Sequence, residues 1–356
     1  MSQAIDAEVA RLSAVLEATG AKRVTSEVLL PAATLLDLYG EDIRARAYVT
    51  PDPNRGELVL RPDFTVPVVQ QHMESQADPA KYTYAGKVFR KQETDPARAT
   101  EFVQVGYEIF DGAAPAVADA EVFATISAAL GDVPLRVATG DIGLLIAAVK
   151  GLKTTDARKA ALLRHLWRPA RFRALLDRFC GISPVPQSRV DLLAASDPFA
   201  EAGPEAGLRS RGEIEARIAA LKADAKADAI STEERALVDL ILSLQETMPN
   251  VLSNLRDIAV DLPGIEGAVN VMTARIEALA SKGIDVDALP FEGSYGRTTL
   301  EYYDGFVFGF YPLAGGHSVA SGGRYDALTA QLGGGVAAPA VGGIIRPDLL
   351  LALEGA

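Results

Sequence analysis

The chain has little of several things that would announce a function. It holds one cysteine in 356 residues, Cys180, so no intramolecular disulfide can form and a reducing cytoplasm is the natural compartment. Its three histidines, His72, His165 and His317, are scattered without ligand spacing, so no metal site is expected. His165 lies among basic and apolar residues of a helical stretch, where it reads as an ordinary packed or surface histidine. No run of about eighteen apolar residues occurs, which excludes a membrane-spanning helix. Basic charge is also short: the formal net charge is −12, whereas a surface that grips a polyanion is normally basic, because phosphate contacts supply most of that affinity. Arg164 to Arg173, with four arginines, is a local exception. The glycine-rich stretches, Gly315–Gly316, Gly322–Gly323 and Gly333 to Gly335, match neither a Walker loop nor a dinucleotide fingerprint. They read as tight turns and close backbone approaches. There is no serine or cysteine nucleophile elbow, and no paired-acid loop of the kind that holds phosphoribosyl pyrophosphate; no cofactor is expected.

What is present is a chain that is 49% hydrophobic and 23% charged, enough to bury one large core or two smaller ones. Met1 to Ala21 carries Asp6 and Glu8 among spaced apolar residues. It reads as an amphipathic helix up to about Gly20, not as a signal peptide. From Val28 to Phe110, short strands and helices alternate. Gly151 to Ala280 is helix-like, most clearly over Arg211 to Ala223 (Ile214, Ile218, Leu221) and Glu233 to Glu246 (Ala236, Leu237, Leu240, Leu244). Phe291 to Gly343 returns to strands and glycine-rich loops, and Pro347 to Leu353 closes as a short helix. This order implies one α+β core interrupted by a helical insertion, with segments 1–150, 151–280 and 281–356.

Lys81 to Arg90 and Phe102 to Phe110 read as an antiparallel hairpin with a long polar loop. Alternation puts Val103, Val105, Tyr107 and Ile109 on one face, which looks like core. The other face lines up Phe102, Gln104, Gly106, Glu108 and Phe110. An amide and a carboxylate separated by a glycine that leaves room suit the floor of a small-ligand site. The same pattern fits a plain solvent-facing strand side. In LRPDFT, Leu60 to Thr65, Thr65 can cap a helix starting near Pro67 and leave Asp63 beside the helix N-terminus. Asp304–Gly305 signals a second hairpin between TTLEYY and FVFGFY, with Thr299, Glu301 and Tyr303 on one face.

Together these segments resemble class II aminoacyl-tRNA synthetases, specifically histidyl-tRNA synthetase, over roughly Glu8 to Asp111 and Gly296 to Leu353. KYTYAGKVFRKQETDPARATEFVQVGYEIF is similar to the family's motif 2 hairpin, and LRPDFT to its LRPEGT signature. TTLEYY falls on RGLDYY, and ASGGRYDAL on the second histidine-specific signature. The resemblance implies an antiparallel sheet core flanked by helices. It also implies that Asp63, Thr65, Gln104, Glu108, Tyr303 and Tyr325 hold a histidine-like ligand. Arg90 would contact the α-phosphate of ATP, or pair with Glu108 or Glu93.

The adenylating positions look damaged. Thr298 replaces the arginine opening RGLDYY, with neighbouring Arg297 as a conceivable substitute. In AVGGIIRPDLLLAL, Pro347, Asp348 and Leu349 stand where Leu-Glu-Arg is expected, and Arg346 is displaced. Glu93 replaces an arginine, and Val103 a histidine. With the sequence running to Ala356, just past this region, no anticodon-binding domain is expected, and tRNA is not an expected partner. A truncated synthetase-like chain of this kind resembles the regulatory subunits of ATP phosphoribosyltransferase. That resemblance implies a non-catalytic partner of a short catalytic subunit in a hetero-octamer, a self-dimer within it, and histidine as effector in the first step of histidine biosynthesis. The alternative is a divergent synthetase-like enzyme that activates histidine with ATP.

Overall fold

A computed structural model describes residues 3–33, 47–75, 77–92, 99–200, 202–203, 207–298 and 302–355. The expectations placed on Glu93, Thr299 and Glu301 fall outside the described residues. The first helix, α1 (Gln3–Glu17), buries Leu12 and Leu16 one turn apart, and the chain leaves it at Gly20, whose φ of 86° favours glycine. Strand β1 (Lys22–Arg23) follows, then a small sheet of β2 (Leu29–Pro31), β3 (Val49–Asp52) and β4 (Gly56–Leu60). Helix α2 (Thr65–Ser75) begins at Thr65 itself and not near Pro67, because Asp63 takes the backbone N–H groups of Val66 and Thr65 and so acts as the cap. The long hairpin is present as β5 (Ala80–Phe89) and β6 (Glu101–Phe110). Helix α3 (Pro115–Ala129) then lays Val122, Phe123 and Ile126 into the core, and β7 (Leu135–Asp141) leads into α4 (Ile142–Gly151) through the Asp141 cap.

The helical stretch resolves into α5 (Asp156–Arg164), α6 (Pro169–Phe179), α7 (Gln187–Ala194), α8 (Arg211–Asp224), α9 (Thr232–Ser243), α10 (Met248–Asp261) and α11 (Glu266–Ser281). Ser210 with Glu213, and Ser231 with Glu234, form capping boxes that start α8 and α9. The helix expected to continue to Glu246 stops at Ser243. Residues 245–247 form strand β8 (Gln245–Thr247), paired with β9 (Pro290–Glu292), and Gly293 N–H donates to the Leu244 carbonyl at 2.8 Å. Long-range pairing of those backbone groups overrides the helical spacing of Leu240 and Leu244.

The chain then returns to the main sheet through β10 (Phe306–Pro312), β11 (Ala320–Arg324), α12 (Asp326–Leu332), β12 (Ala340–Ile345) and α13 (Pro347–Glu354). The seven strands run β1-β5-β6-β12-β11-β10-β7, antiparallel except for β1 against β5. Among the described residues the hairpin expected around Asp304–Gly305 is not seen: the two edges of β10 are occupied by β7 and β11. Asp304 instead accepts from the Asp326 backbone N–H at 3.0 Å, at the start of α12. One apolar cluster joins the sheet to the helical stretch, with Phe123 packed against Phe306, Phe308 and Phe310 below it.

Candidate functional site

The face of β6 that carries Gln104 and Glu108 does not meet solvent: every residue of this strand after Glu101 is buried. Register places Tyr84 opposite Gly106 and Tyr82 opposite Glu108. Gly106 lacks a side chain because the Tyr84 ring lies over it, where a Cβ would fall 2.1 Å from Tyr84 Cζ. The room between Gln104 and Glu108 is thus filled by a tyrosine, which corrects the expectation of an open gap. The ring stacks on Phe64 at 4.5 Å, and its hydroxyl donates to Glu108 Oε1 at 2.8 Å.

Glu108 is surrounded by hydroxyls. Tyr325 donates to Oε2 at 2.7 Å, and Thr65 Oγ1 approaches Oε1 at 3.4 Å. Gly342 of β12 stands opposite in register, and a Cβ there would fall 1.4 Å from Glu108 Oε2. Only glycine leaves this carboxylate its place. Burial pushes the Glu108 pKa up to about 7, against the pull of the Tyr325, Tyr84 and Thr65 hydroxyls and with help from nearby Asp63. Asp63 is also raised by burial, although Arg90 and two backbone N–H groups oppose the shift.

Asp63, Thr65, Gln104, Glu108, Tyr303, Tyr325 and Arg90 all line one cavity. Within it, Asp63 Oδ1 and Gln104 Oε1 are buried without a hydrogen-bond partner among the described residues. Buried polar atoms are almost always satisfied, so two open acceptors in one pocket leave capacity there for further hydrogen-bond donors. Tyr303 reaches the pocket from a non-strand segment after residue 301. Arg90 Nε donates to the Pro62 carbonyl at 2.7 Å, and it is the hydroxyls above, not Arg90, that hold Glu108.

Two expectations change here. Arg346, expected to be displaced, lines the same cavity. It sits 3.6 Å over the Phe102 ring, with Nε and Nη2 donating to Asp348 at 3.0 and 2.6 Å. Arg297 does not substitute for the missing arginine: its Nε donates to the Leu166 carbonyl, and Thr298 beside it is exposed. Tyr84, Ser318, Ser321 and Arg346 are pocket-shaping residues that the sequence reading missed. Tyr84 follows from strand alternation only once the hairpin register is known.

Comparisons with known proteins extend the resemblance beyond the motif-bearing segments. The family model described as histidyl-tRNA synthetase matches residues 2–210 and 215–350, so it runs through the helical stretch. A Brucella canis ATP phosphoribosyltransferase regulatory subunit is 32% identical over 96% of this chain and 95% of its own length. A Brucella abortus protein of the same description is 32% identical over 96% of this chain and 94% of its own. Among solved structures, an ATP phosphoribosyltransferase regulatory subunit/histidyl-tRNA synthetase from Bacillus halodurans superposes with a TM-score of 0.69 at 22% identity, covering 99% of this chain and 80% of that one. Histidyl-tRNA synthetase from Nostoc gives 0.63 at 16% identity, covering 98% and 70%. The fold is that of the class II synthetases.

Proposed function

The chain belongs to the family of ATP phosphoribosyltransferase regulatory subunits, on the histidyl-tRNA synthetase fold, and from that premise we propose that it is the non-catalytic partner of a short ATP phosphoribosyltransferase catalytic subunit and confers feedback inhibition by histidine. The observation that carries the effector reading is the pair of buried acceptors without partners, Asp63 Oδ1 and Gln104 Oε1, beside Glu108. An amino acid brings an ammonium group and, if histidine, a ring N–H, and each charge-assisted bond so formed is worth about 1.5–3 kcal/mol. Histidine would act by binding one quaternary state better than another, with a coupling of about 1–3 kcal/mol. Family membership supports a hetero-octamer containing self-dimers of this chain, and the lone cysteine suits a cytoplasmic setting.

Absence of catalysis is supported by what surrounds the cavity's cations. Thr298 offers no charge, and the Arg346 guanidinium is matched by the Asp348 carboxylate. Loss of one donor aimed at transition-state charge typically lowers a rate about 10²–10³-fold. Because Arg90 and Arg346 nonetheless share the cavity, the activating-enzyme alternative is tested directly by histidine-dependent ATP–pyrophosphate exchange, which should be absent. The main experiment measures phosphoribosyl-ATP formation by the isolated short catalytic subunit, with and without this chain, and then with histidine titrated in. Altered turnover that becomes histidine-sensitive supports the proposal. A catalytic subunit that neither binds nor responds to the chain would sink it.

A further inference from the structure

Arg297 does not line the pocket, and its guanidinium meets the start of α6. Its Nε donates to the Leu166 carbonyl at 2.9 Å, and its guanidinium lies 4.9 Å over the Phe172 ring. Those two contacts bracket the first turn of α6, which opens with Pro169 and has no side-chain cap. The N–H groups of an uncapped first turn have no partner inside the helix and carry the positive end of its dipole. Arg297 is 5% exposed, yet its Nη2 has no hydrogen-bond partner among the described residues. Just before α6, two more buried atoms share that condition, Trp167 Nε1 and His165 Nδ1.

The surroundings are positive. Arg164, Arg168, Arg171 and Arg173 are all exposed within ten residues of chain, in a protein whose net charge is −12. Arg173 pairs with Asp239 at 2.7 Å. Burial and the proximity of Arg173 push the Arg297 pKa down to about 10, the opposite of what a carboxylate partner would do. Burial, then Arg171, Arg168 and Arg164, lower that of His165. A buried guanidinium nitrogen left without an acceptor is costly, and an anion with several acceptor oxygens relieves it. The planar guanidinium fork and a helix N-terminus both favour phosphate.

We propose that Arg297, Trp167 and the first turn of α6 form a binding site for a phosphate group, separate from the amino-acid pocket. The group is either a free phosphate or diphosphate, or the phosphate end of a nucleotide. The site stands on its own geometry and does not depend on the histidine reading.

The test is calorimetric titration of inorganic phosphate, diphosphate and ATP into the full chain at low ionic strength. Binding of diphosphate should weaken about tenfold or more in Arg297→Gln, and roughly threefold in the exposed double variant Arg164→Ala with Arg171→Ala, falling steeply with salt. Histidine binding should be unchanged in both variants. ATP binding more tightly than diphosphate would assign the nucleotide as occupant, and equal affinity would assign the phosphate group alone. The proposal is overturned if none of the three binds the wild-type chain. It is also overturned if folded Arg297→Gln binds undiminished, or if binding is lost in Arg90→Gln instead. Should Arg297→Gln fail to fold, the double variant decides, and undiminished binding there overturns the site.

Discussion

Two buried polar clusters in this molecule follow opposite rules. In the first, Asp119 is fully buried in the second turn of α3, and Arg275 of α11 donates to it at 2.8 Å and to Asp141 at 2.7 Å. Arg324 donates to the other oxygen of Asp119 at 2.9 and 2.7 Å, and also to Asp326. The remaining Asp141 oxygen caps α4 through the Gly143 N–H at 2.7 Å. Each charge meets an opposite charge or a directed N–H group, and the network ties α11 to α3 and the sheet. In the pocket, by contrast, Glu108 is held by neutral hydroxyls, and Asp63 and Gln104 each keep an acceptor without a partner. A closed network serves the fold; an open one retains binding capacity for something that arrives later.

The largest expected effect tests the closed network. Arg275→Ala leaves Asp119 and Asp141 buried without their shared guanidinium, and urea denaturation should show a loss of about 3–5 kcal/mol. A loss under about 1 kcal/mol would mean that the network does not hold the helices to the sheet.

Next in size is the pocket pair. Gln104→Ala with Glu108→Ala should weaken histidine inhibition of the assembled transferase about tenfold or more while assembly stays intact. Unchanged inhibition would move the effector site elsewhere.

The smallest effect sharpens the contrast through pH. Glu108 titrates near 7 in the fold instead of near 4.5, so between those values the folded chain holds more protons than the unfolded one. Stability therefore falls as pH rises through that window, and this group adds no further change above it. An ammonium-bearing ligand needs the ionised form, so its affinity should rise with pH up to about 7. Calorimetry in two buffers of different ionisation enthalpy should detect proton release on binding below that pH. The same release in Glu108→Gln would contradict the assignment to Glu108.

The residues that share the pocket were legible because strand alternation joins Gln104 to Glu108, and because the LRPDFT turn brings Asp63 and Thr65 to a helix start. What was not legible depends on pairing between distant segments. Tyr84 enters through hairpin register, which a loop of uncertain geometry hides. Arg346 was expected to be displaced from a sequence offset, yet β12 runs beside β6 and delivers it to the cavity. TTLEYY looked like half of a hairpin because Asp304–Gly305 is a good local turn, but β7 had already taken the edge of β10 that it needed. The end of α9 was missed for a related reason: apolar spacing continues to Leu244, while the backbone from Gln245 pairs with β9.

Strand β12 lies between β6 and β11, joining residues 340–345 to a strand at 101–110. Some 230 residues of chain separate these neighbours, so the loop-closure entropy of that pairing is met only once residues 340–345 have been synthesised. Until then β6 is an unprotected edge, rich in Val, Ile, Phe and Tyr, of the kind that recruits other chains. The strand that carries Gln104 and Glu108 therefore gains its β12 neighbour late in synthesis, and the emerging polypeptide is most exposed to aggregation there.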